Sequence, residues 1–274
     1  DHLDYHGSQD AYLAAKLRLF TEVMPEGGIA VLNIDVPEFE KVRAVCASRR
    51  QFIITYGTDA RADFHLVWAE PGLCGQTVEV ALNGQSHRVL LPLFGSFQAE
   101  NALAALALVI ATGADSTAAV DALGHLRGVL GRAQLVAELS NRAKVFVDYA
   151  HTPDALSHVL AALRPHTKGR LVIAFGCGGD RDRAKRPEMG RIATDLADHV
   201  IVTDDNPRDE DPATIRREIL VACPDAEEIG NRGRAIVRGI DVLQPGDLLV
   251  VAGKGHETGQ VVRSEVRPFD DTAV

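Results

Sequence analysis

Four short apolar runs, at residues 145–147, 171–175, 200–202 and 248–251, recur through the second half of the chain, and each leads into a polar or glycine-rich segment. Their β-branched content reads as strands buried on both faces, as in a parallel sheet. Between them, residues 154–163, 187–196, 213–222 and 232–243 carry helical spacing. Strand alternating with helix predicts an α/β fold, a mostly parallel sheet with helices on its faces. The segments that follow the strands then collect at one edge of the sheet, where open α/β sheets bind ligands. Those segments are Asp148-Tyr149-Ala150-His151-Thr152-Pro153, Gly176-Cys177-Gly178-Gly179-Asp180-Arg181-Asp182-Arg183, Asp204-Asp205-Asn206-Pro207-Arg208-Asp209-Glu210 and Gly253-Lys254-Gly255-His256-Glu257.

The first half alternates too, and then changes period. A helix is expected over 11–23, a strand over 29–34, a helix over 36–48 and a strand over 51–56. Residues 64–69, 77–82 and 87–91 then alternate apolar and polar, with Asn83-Gly84 between the last two. Asn-Gly between alternating runs is the strongest short hairpin signal. A small antiparallel patch inside an α/β unit follows. Helices over 100–112, stopped by Gly113, and over 116–126, with Ser116 as N-cap, complete this half. Residues 128–132, Gly-Val-Leu-Gly-Arg, read as a linker that divides 1–130 from 131–274.

A chain of 274 residues, 46% hydrophobic and 24% charged, can bury two modest cores. Its net charge of −9 argues against a general nucleic-acid-binding surface. One basic cluster stands out: Arg181, Arg183, Lys185, Arg186 and Arg191. Cys46, Cys74, Cys177 and Cys223 are scattered without a CxxC pair, which argues against a zinc site or a disulfide scaffold and fits a reducing compartment. The first residues do not read as a signal peptide, and the longest apolar run, 102–111, is too short to span a membrane. A cytoplasmic protein with neither nucleic acid nor membrane as partner is expected.

The polar segments suggest their own chemistry. Residues 176–179 can expose successive N–H groups as an anion nest, although they do not form the GxGxxG dinucleotide fingerprint. Arg181 and Arg208 can each grip a carboxylate or phosphate through two parallel hydrogen bonds. Asp205 and Glu257 can accept from a cationic amine. Both signs together predict a zwitterionic ligand such as an amino acid. The blander alternatives are a surface charge mixture for Arg181 and Asp182, a helix-start role for His151 beside Pro153, and an Arg208 that braces its own acidic loop through Asp209 or Glu210. In the first half, His2, His6 and Lys16 flank a helix start. Lys16 is either a solvated helix lysine or, within Ala14-Ala15-Lys16-Leu17, a buried one. Burial favours the neutral amine, which can take up carbon dioxide and become a carboxylate-like metal ligand.

Seven motifs appear in order: Asp1-His2-Leu3-Asp4-Tyr5-His6-Gly7, Ala14-Ala15-Lys16, Asn101-Ala102-Leu103-Ala104-Ala105, Asp148-Tyr149-Ala150-His151-Thr152-Pro153, Gly178-Gly179-Asp180-Arg181-Asp182, Asp205-Asn206-Pro207-Arg208 and Gly253-Lys254-Gly255-His256-Glu257. In these the chain resembles the Mur ligases of peptidoglycan synthesis, and among them the branch that adds meso-diaminopimelate. The resemblance covers nearly the whole chain. It implies that ATP phosphorylates a carboxylate of UDP-N-acetylmuramoyl-L-alanyl-D-glutamate. The amine of meso-diaminopimelate then attacks the acyl phosphate, and a tetrahedral intermediate collapses to an amide, with Mg²⁺ bridging phosphate oxygens. By matching positions, His2 and a carbamylated Lys16 would serve the metal, and Asn101 would lie at the adenine. Arg132, Tyr149, His151 and Asp180 would line the nucleotide across the domain cleft. Arg181, Asp205, Asn206, Arg208, Gly253 and Glu257 would bind the amino acid. Residues 1–130 would be the later part of a central ATPase domain and 131–274 a Rossmann-like C-terminal domain, acting as a monomer.

The chain also departs from the family's pattern. No G-x-x-x-x-G-K-[ST] occurs in the 274 residues, and Gly253-Lys254-Gly255 lacks both the spacing and the hydroxyl. The family's phosphate loop and uridine-binding domain precede the point where this sequence begins, and its end stops short of a last helix. The resemblance therefore implies a fragment that is inactive alone. Gln98 stands where the family carries asparagine. Two other classes compete: a non-catalytic amino-acid or nucleotide binding module, and a nicotinamide-dependent dehydrogenase, which the absent GxGxxG disfavours.

Overall fold

The structure, a computed structural model, describes residues 8–274. The chain divides into two compact units, Asp1–Leu126 and Arg127–Val274.

In the first unit, helix α1 (Gln9–Arg18) starts where the Ser8 hydroxyl accepts from Ala11 N at 3.2 Å and runs into a single π turn (Leu19–Val23). Strands β1 (Ile29–Asn33) and β2 (Phe52–Gly57) flank α2 (Phe39–Ser48). Strands β3 (Phe64–Gly72), β4 (Gly75–Leu82) and β5 (Gln85–Leu91) follow, then α3 (Ser96–Ala111) and α4 (Ser116–Leu123). The antiparallel patch is not a separate element. It continues one five-stranded sheet of order β1-β2-β3-β4-β5, parallel across β1, β2 and β3 and antiparallel beyond. The Asn83-Gly84 turn forms as expected, with φ of 51° and 73° and Leu82 paired with Gln85. Positive φ at both central residues matches the right-handed twist of the strands. Val78, Val80 and Leu82 share a core with Leu103 and Leu106 of α3. The N-cap of α4 is Asp115 rather than Ser116, its carboxylate accepting from Ala118 N at 2.9 Å. A carboxylate one residue earlier reaches the free amides of the first turn and favours their positive end.

The second unit begins with β6 (Gln134–Glu138) and β7 (Lys144–Asp148) and alternates through α5 (Pro153–Leu163), β8 (Leu171–Phe175), α6 (Lys185–Leu196), β9 (His199–Val202), α7 (Pro212–Leu220), β10 (Glu227–Glu228), α8 (Arg232–Asp241) and β11 (Leu248–Ala252). The sheet has the order β10-β9-β8-β11-β7-β6, parallel except for β6. Strands β7, β8 and β11 are buried along their whole length, which explains their unbroken apolar character. The last strand, β11, inserts between β7 and β8, so Gly253–Glu257 emerges between the loops of strands formed about a hundred residues earlier. An antiparallel hairpin, β12 (Gly259–Val262) and β13 (Glu265–Pro268), closes the unit. Strands β6, β10, β12 and β13 are too short or too exposed to carry a period that sequence reading could find. No described helix is long and apolar enough to cross a membrane.

Candidate functional site

At the end of β7, Asp148 accepts from Ala133 N at 2.6 Å and from Ala150 N at 2.7 Å, which ties residues 131–133 to the strand end. Burial raises its pKa, against the pull of those two amides and of the Arg132 charge. This anchoring gathers Arg132, Tyr149 and His151. The Arg132 guanidinium lies 4.9 Å from the Tyr149 ring centroid, and the His151 ring meets Tyr149 edge-on at 4.7 Å. Two residues that sequence reading did not select join them. His256 lies 5.5 Å from the Tyr149 ring, and Lys185 donates to the His151 carbonyl at 2.8 Å. His256 was visible inside its motif, whereas Lys185 carried no signal beyond its charge. Cation, aromatic ring and imidazoles side by side suit an anionic, planar ligand.

Asp180 belongs elsewhere. Its N–H donates to Glu210 at 2.6 Å and its carboxylate accepts from Asp209 N at 3.1 Å. The anion nest expected over 176–179 is also corrected. The Gly179 amide donates to the Asn206 carbonyl at 2.9 Å, and a Cβ on Gly179 would collide with the Pro207 carbonyl. Gly176 and Gly179 let two loops touch, and the Gly179 amide faces the neighbouring loop instead of an anion.

The basic cluster is not a basic patch. Arg186 is fully buried and bonds Glu210 at 2.8 and 3.0 Å and Glu218 at 2.7 Å. Arg186 holds the Glu210 carboxyl down to about 2. Arg183 pairs with Glu218 and Arg191 with Asp195. Arg181 is exposed and, among the described residues, donates to the neighbouring Asp180 carbonyl at 3.1 Å.

Asp205, Asn206, Arg208, Gly253 and Glu257 do come together. Asp205 is buried; its Oδ1 accepts from Asn206 N at 2.6 Å, and its Oδ2 has no donor among the described residues. Gly253, at φ +117°, passes so near that a Cβ would lie 2.5 Å from that oxygen. A side chain at 253 would therefore fill the place beside it. Asn206 Nδ2 donates to Glu257 Oε2 at 3.0 Å, as does Lys254 Nζ at 3.0 Å. Burial works to raise the Glu257 pKa, but the bonds from Asn206 and Lys254 and the charges of Lys254 and Arg208 hold it below the ordinary value. Arg208, half-buried at φ 50°, donates through Nη1 to the Gly179 carbonyl at 2.8 Å rather than to Asp209 or Glu210. Its backbone is stitched to the β12–β13 hairpin by Arg208 N to Val261 O at 3.0 Å and Arg263 N to Arg208 O at 2.7 Å. A cleft of about 690 Å³ opens beside it, lined also by Arg263, Arg267, Asp209 and Glu265. A buried, unpaired carboxylate oxygen, an ionised glutamate and an arginine side by side can hold ammonium and carboxylate together.

In the first unit, Asn101 is exposed on α3 and Gln98 is buried. His2 lies outside the described residues. Of the two readings of Lys16, solvated or buried, the structure shows the first: it is exposed, with Nζ 4.6 Å from the Tyr12 ring centroid. The helix that carries it has no buried residue. It does line a cavity of about 560 Å³ with Asn33 and Glu38.

Residues 1–109 match the family model for the Mur ligase middle domain, and residues 131–255 match that for the Mur ligase, glutamate ligase domain. A protein of Caulobacter vibrioides named UDP-N-acetylmuramoyl-L-alanyl-D-glutamate–2,6-diaminopimelate ligase is 51% identical over 273 residues, covering 100% of this chain and 56% of the relative. A Zymomonas mobilis protein of the same name is 51% identical over 278 residues, 57% of its own length. A solved structure with that ligase title aligns with a TM-score of 0.71 at 38% identity, over 100% of this chain and 56% of that one. Mycobacterium tuberculosis folylpolyglutamate synthase complexed with ADP aligns at 0.71 with 22% identity, over 91% of this chain and 58% of that one, a likeness of fold alone. The chain thus spans a little over half the length of the relatives it matches.

Proposed function

The chain belongs to the Mur ligase family, and from that premise we propose that it takes part in ATP-dependent amide bond formation, joining meso-diaminopimelate to UDP-N-acetylmuramoyl-L-alanyl-D-glutamate. The observation that carries this reading is the meeting of Asp205, Glu257 and Arg208 at the ends of β9 and β11. In it, Asp205 Oδ2 and Glu257 take an ammonium, and Arg208 takes a carboxylate. Gly253 leaves room for the ligand, and Asn206 orients Glu257 from behind. Arg132, Tyr149 and His151 take the nucleotide, joined by His256 and Lys185, while Asn101 takes the adenine. Asp180 serves the nucleotide only indirectly, by bracing the 205–210 loop. Residues 1–130 are read as the later part of the central ATP-binding domain and 131–274 as the amino-acid-binding domain. The ligands are small and diffusible, which is consistent with a monomer in the cytoplasm; light scattering checks the former.

The reaction needs an activated carboxyl and a positioned amine. ATP supplies the first as an acyl phosphate. The second unit supplies the second, holding the amino acid by both charges so that attack is effectively unimolecular. Mg²⁺, when bound, neutralises phosphate oxygens. Among the described residues no group of three or more His, Cys, Asp or Glu could hold a metal ion, so Lys16 as its carbamate would need His2 and the phosphates to complete a site. With ¹³C-bicarbonate, a carbamate resonance that disappears in Lys16→Arg is expected. Its absence from the unaltered chain removes Lys16 from the scheme.

The central test is calorimetric. Meso-diaminopimelate is expected to bind the 274-residue chain, and binding is expected to vanish in Asp205→Asn. The same chain is expected to form no amide, because nothing in it supplies the loop amides and lysine that cradle β- and γ-phosphates. No binding in the unaltered chain would overturn the amino-acid reading. Binding without catalysis, even when the chain is extended to the length of its relatives, would instead favour a binding module.

A further inference from the structure

Lys254 has been given no part in holding the ligand, yet its side chain is 0% exposed and its ammonium reaches the residues that do. Its ammonium donates to Asn206 Oδ1 and to Glu257 Oε2, each at 3.0 Å. Asn206 Oδ1 also accepts from Val261 N at 2.9 Å, so both of its lone pairs are taken. That fixes the carboxamide and turns its Nδ2 toward Glu257 Oε2 at 3.0 Å. Two donors therefore converge on Oε2, whereas Oε1 has no donor among the described residues. The glutamate is held by one oxygen and presents the other.

We propose that Lys254 is the positioning residue of the amino-acid site: it locks Asn206 to Glu257 so that Glu257 offers Oε1, ionised and correctly aimed, to the ligand's ammonium. This rests on the reading of Glu257 as an amine-binding group. The charged groups acting on Glu257 are Lys254 from its own turn, Arg208 from the loop after β9 and Arg232 from the start of α8, all positive. Asp205, on the loop of Arg208, is the nearby carboxylate and acts on Arg232 as Glu257 does. The clamp gives Asn206 a place behind Glu257, where it orients the carboxylate without having to touch the substrate.

The test is titration of meso-diaminopimelate into the chain over a range of pH, with Lys254→Met as the variant. The unaltered carboxyl sits low, so affinity is expected to hold as pH falls through the ordinary glutamate range and to fail only below it. Without the ammonium the carboxyl titrates higher. The acid limb of binding should move up in pH, and affinity at neutral pH should fall about tenfold to hundredfold, the range for a lost hydrogen bond to a charged group. A lysine that merely supports the fold would lower the melting temperature and leave the acid limb in place. Should Lys254→Met not fold, the side-chain carboxyl ¹³C shift of Glu257 in the unaltered chain, assigned with Glu257→Gln, carries the test. Titration below the ordinary value supports the clamp, and titration at or above it overturns it. If the unaltered chain binds and the variant keeps both its affinity and its acid limb, the role of Lys254 fails while the amino-acid reading stands. If the unaltered chain does not bind at all, that reading fails first.

Discussion

Asp271→Ala is expected to cost the second unit about 3–5 kcal/mol, the range for a buried charge deprived of its partner. Asp271 and Arg232 are both enclosed, with side chains 0% exposed, and meet through two bonds of 2.7 Å. Arg232 cannot shed its charge and would be left with one good acceptor, the Ala252 carbonyl at 3.0 Å. Urea denaturation reads the loss directly, and heating should show it as roughly 2–4 °C per kcal/mol in a unit of this size. Replacing both partners with apolar residues of similar volume should restore most of the stability, because the desolvation cost disappears with the charges. A loss under about 1 kcal/mol in Asp271→Ala would mean that the guanidinium reaches water. The pair matters beyond stability. Ala252 directly precedes Gly253, and Arg232 also reaches the Asp204 carbonyl at 3.5 Å, so a single side chain steadies the ends of β11 and β9.

Arg208→Ala is expected to abolish discrimination between meso-diaminopimelate and L-lysine. The two ligands differ by one carboxylate, and a guanidinium can take it in a fork that an ammonium cannot reproduce. A hydrogen bond to a charged group contributes ~1.5–3 kcal/mol, roughly tenfold to hundredfold in affinity. The preference of the unaltered site should exceed that range, since bound lysine would leave Arg208 desolvated and unpaired. Competitive calorimetry on this chain and turnover in a chain of the relatives' full length both read the ratio, and nucleotide affinity should stay nearly unchanged. Arg208 also holds the Gly179 carbonyl at 2.8 Å, so Arg208→Lys is the necessary companion. It keeps the charge and loses the fork, and discrimination should still fall. If the preference survives both changes, Arg208 is not the specificity residue. Arg263 and Arg267, which line the same cleft, would be next; the exposed Arg181 would not.

Local pattern carried much of this. Period-two alternation and Asn83-Gly84 determined the β4–β5 hairpin, because a turn with positive φ at both positions is specified by its own two residues. Unbroken apolar runs determined β7, β8, β9 and β11, and with them the loops that collect the site. That Asp205, Arg208 and Glu257 would come to one edge of the sheet was legible for the same reason: each lies in a segment that follows a buried parallel strand.

Which charge finds which partner was decided only in three dimensions. Arg186 looked like part of a basic surface and is buried against Glu210 and Glu218, 24 and 32 residues away. Lys16 could be read from its alanine neighbours as either solvated or buried and is exposed, because burial depends on what packs over a helix and not on its neighbours in sequence. Residues 176–179 looked like an anion cradle, and the Gly179 amide is taken by the Asn206 carbonyl. Lys254 stood inside a motif without a role of its own and is the buried link between Asn206 and Glu257. The link through Lys254 depends on the crossover that returns β11 between β7 and β8. Sequence periodicity reports which face of an element is apolar, but it contains no term for the order of strands in a sheet, and that order sets the long-range pairs.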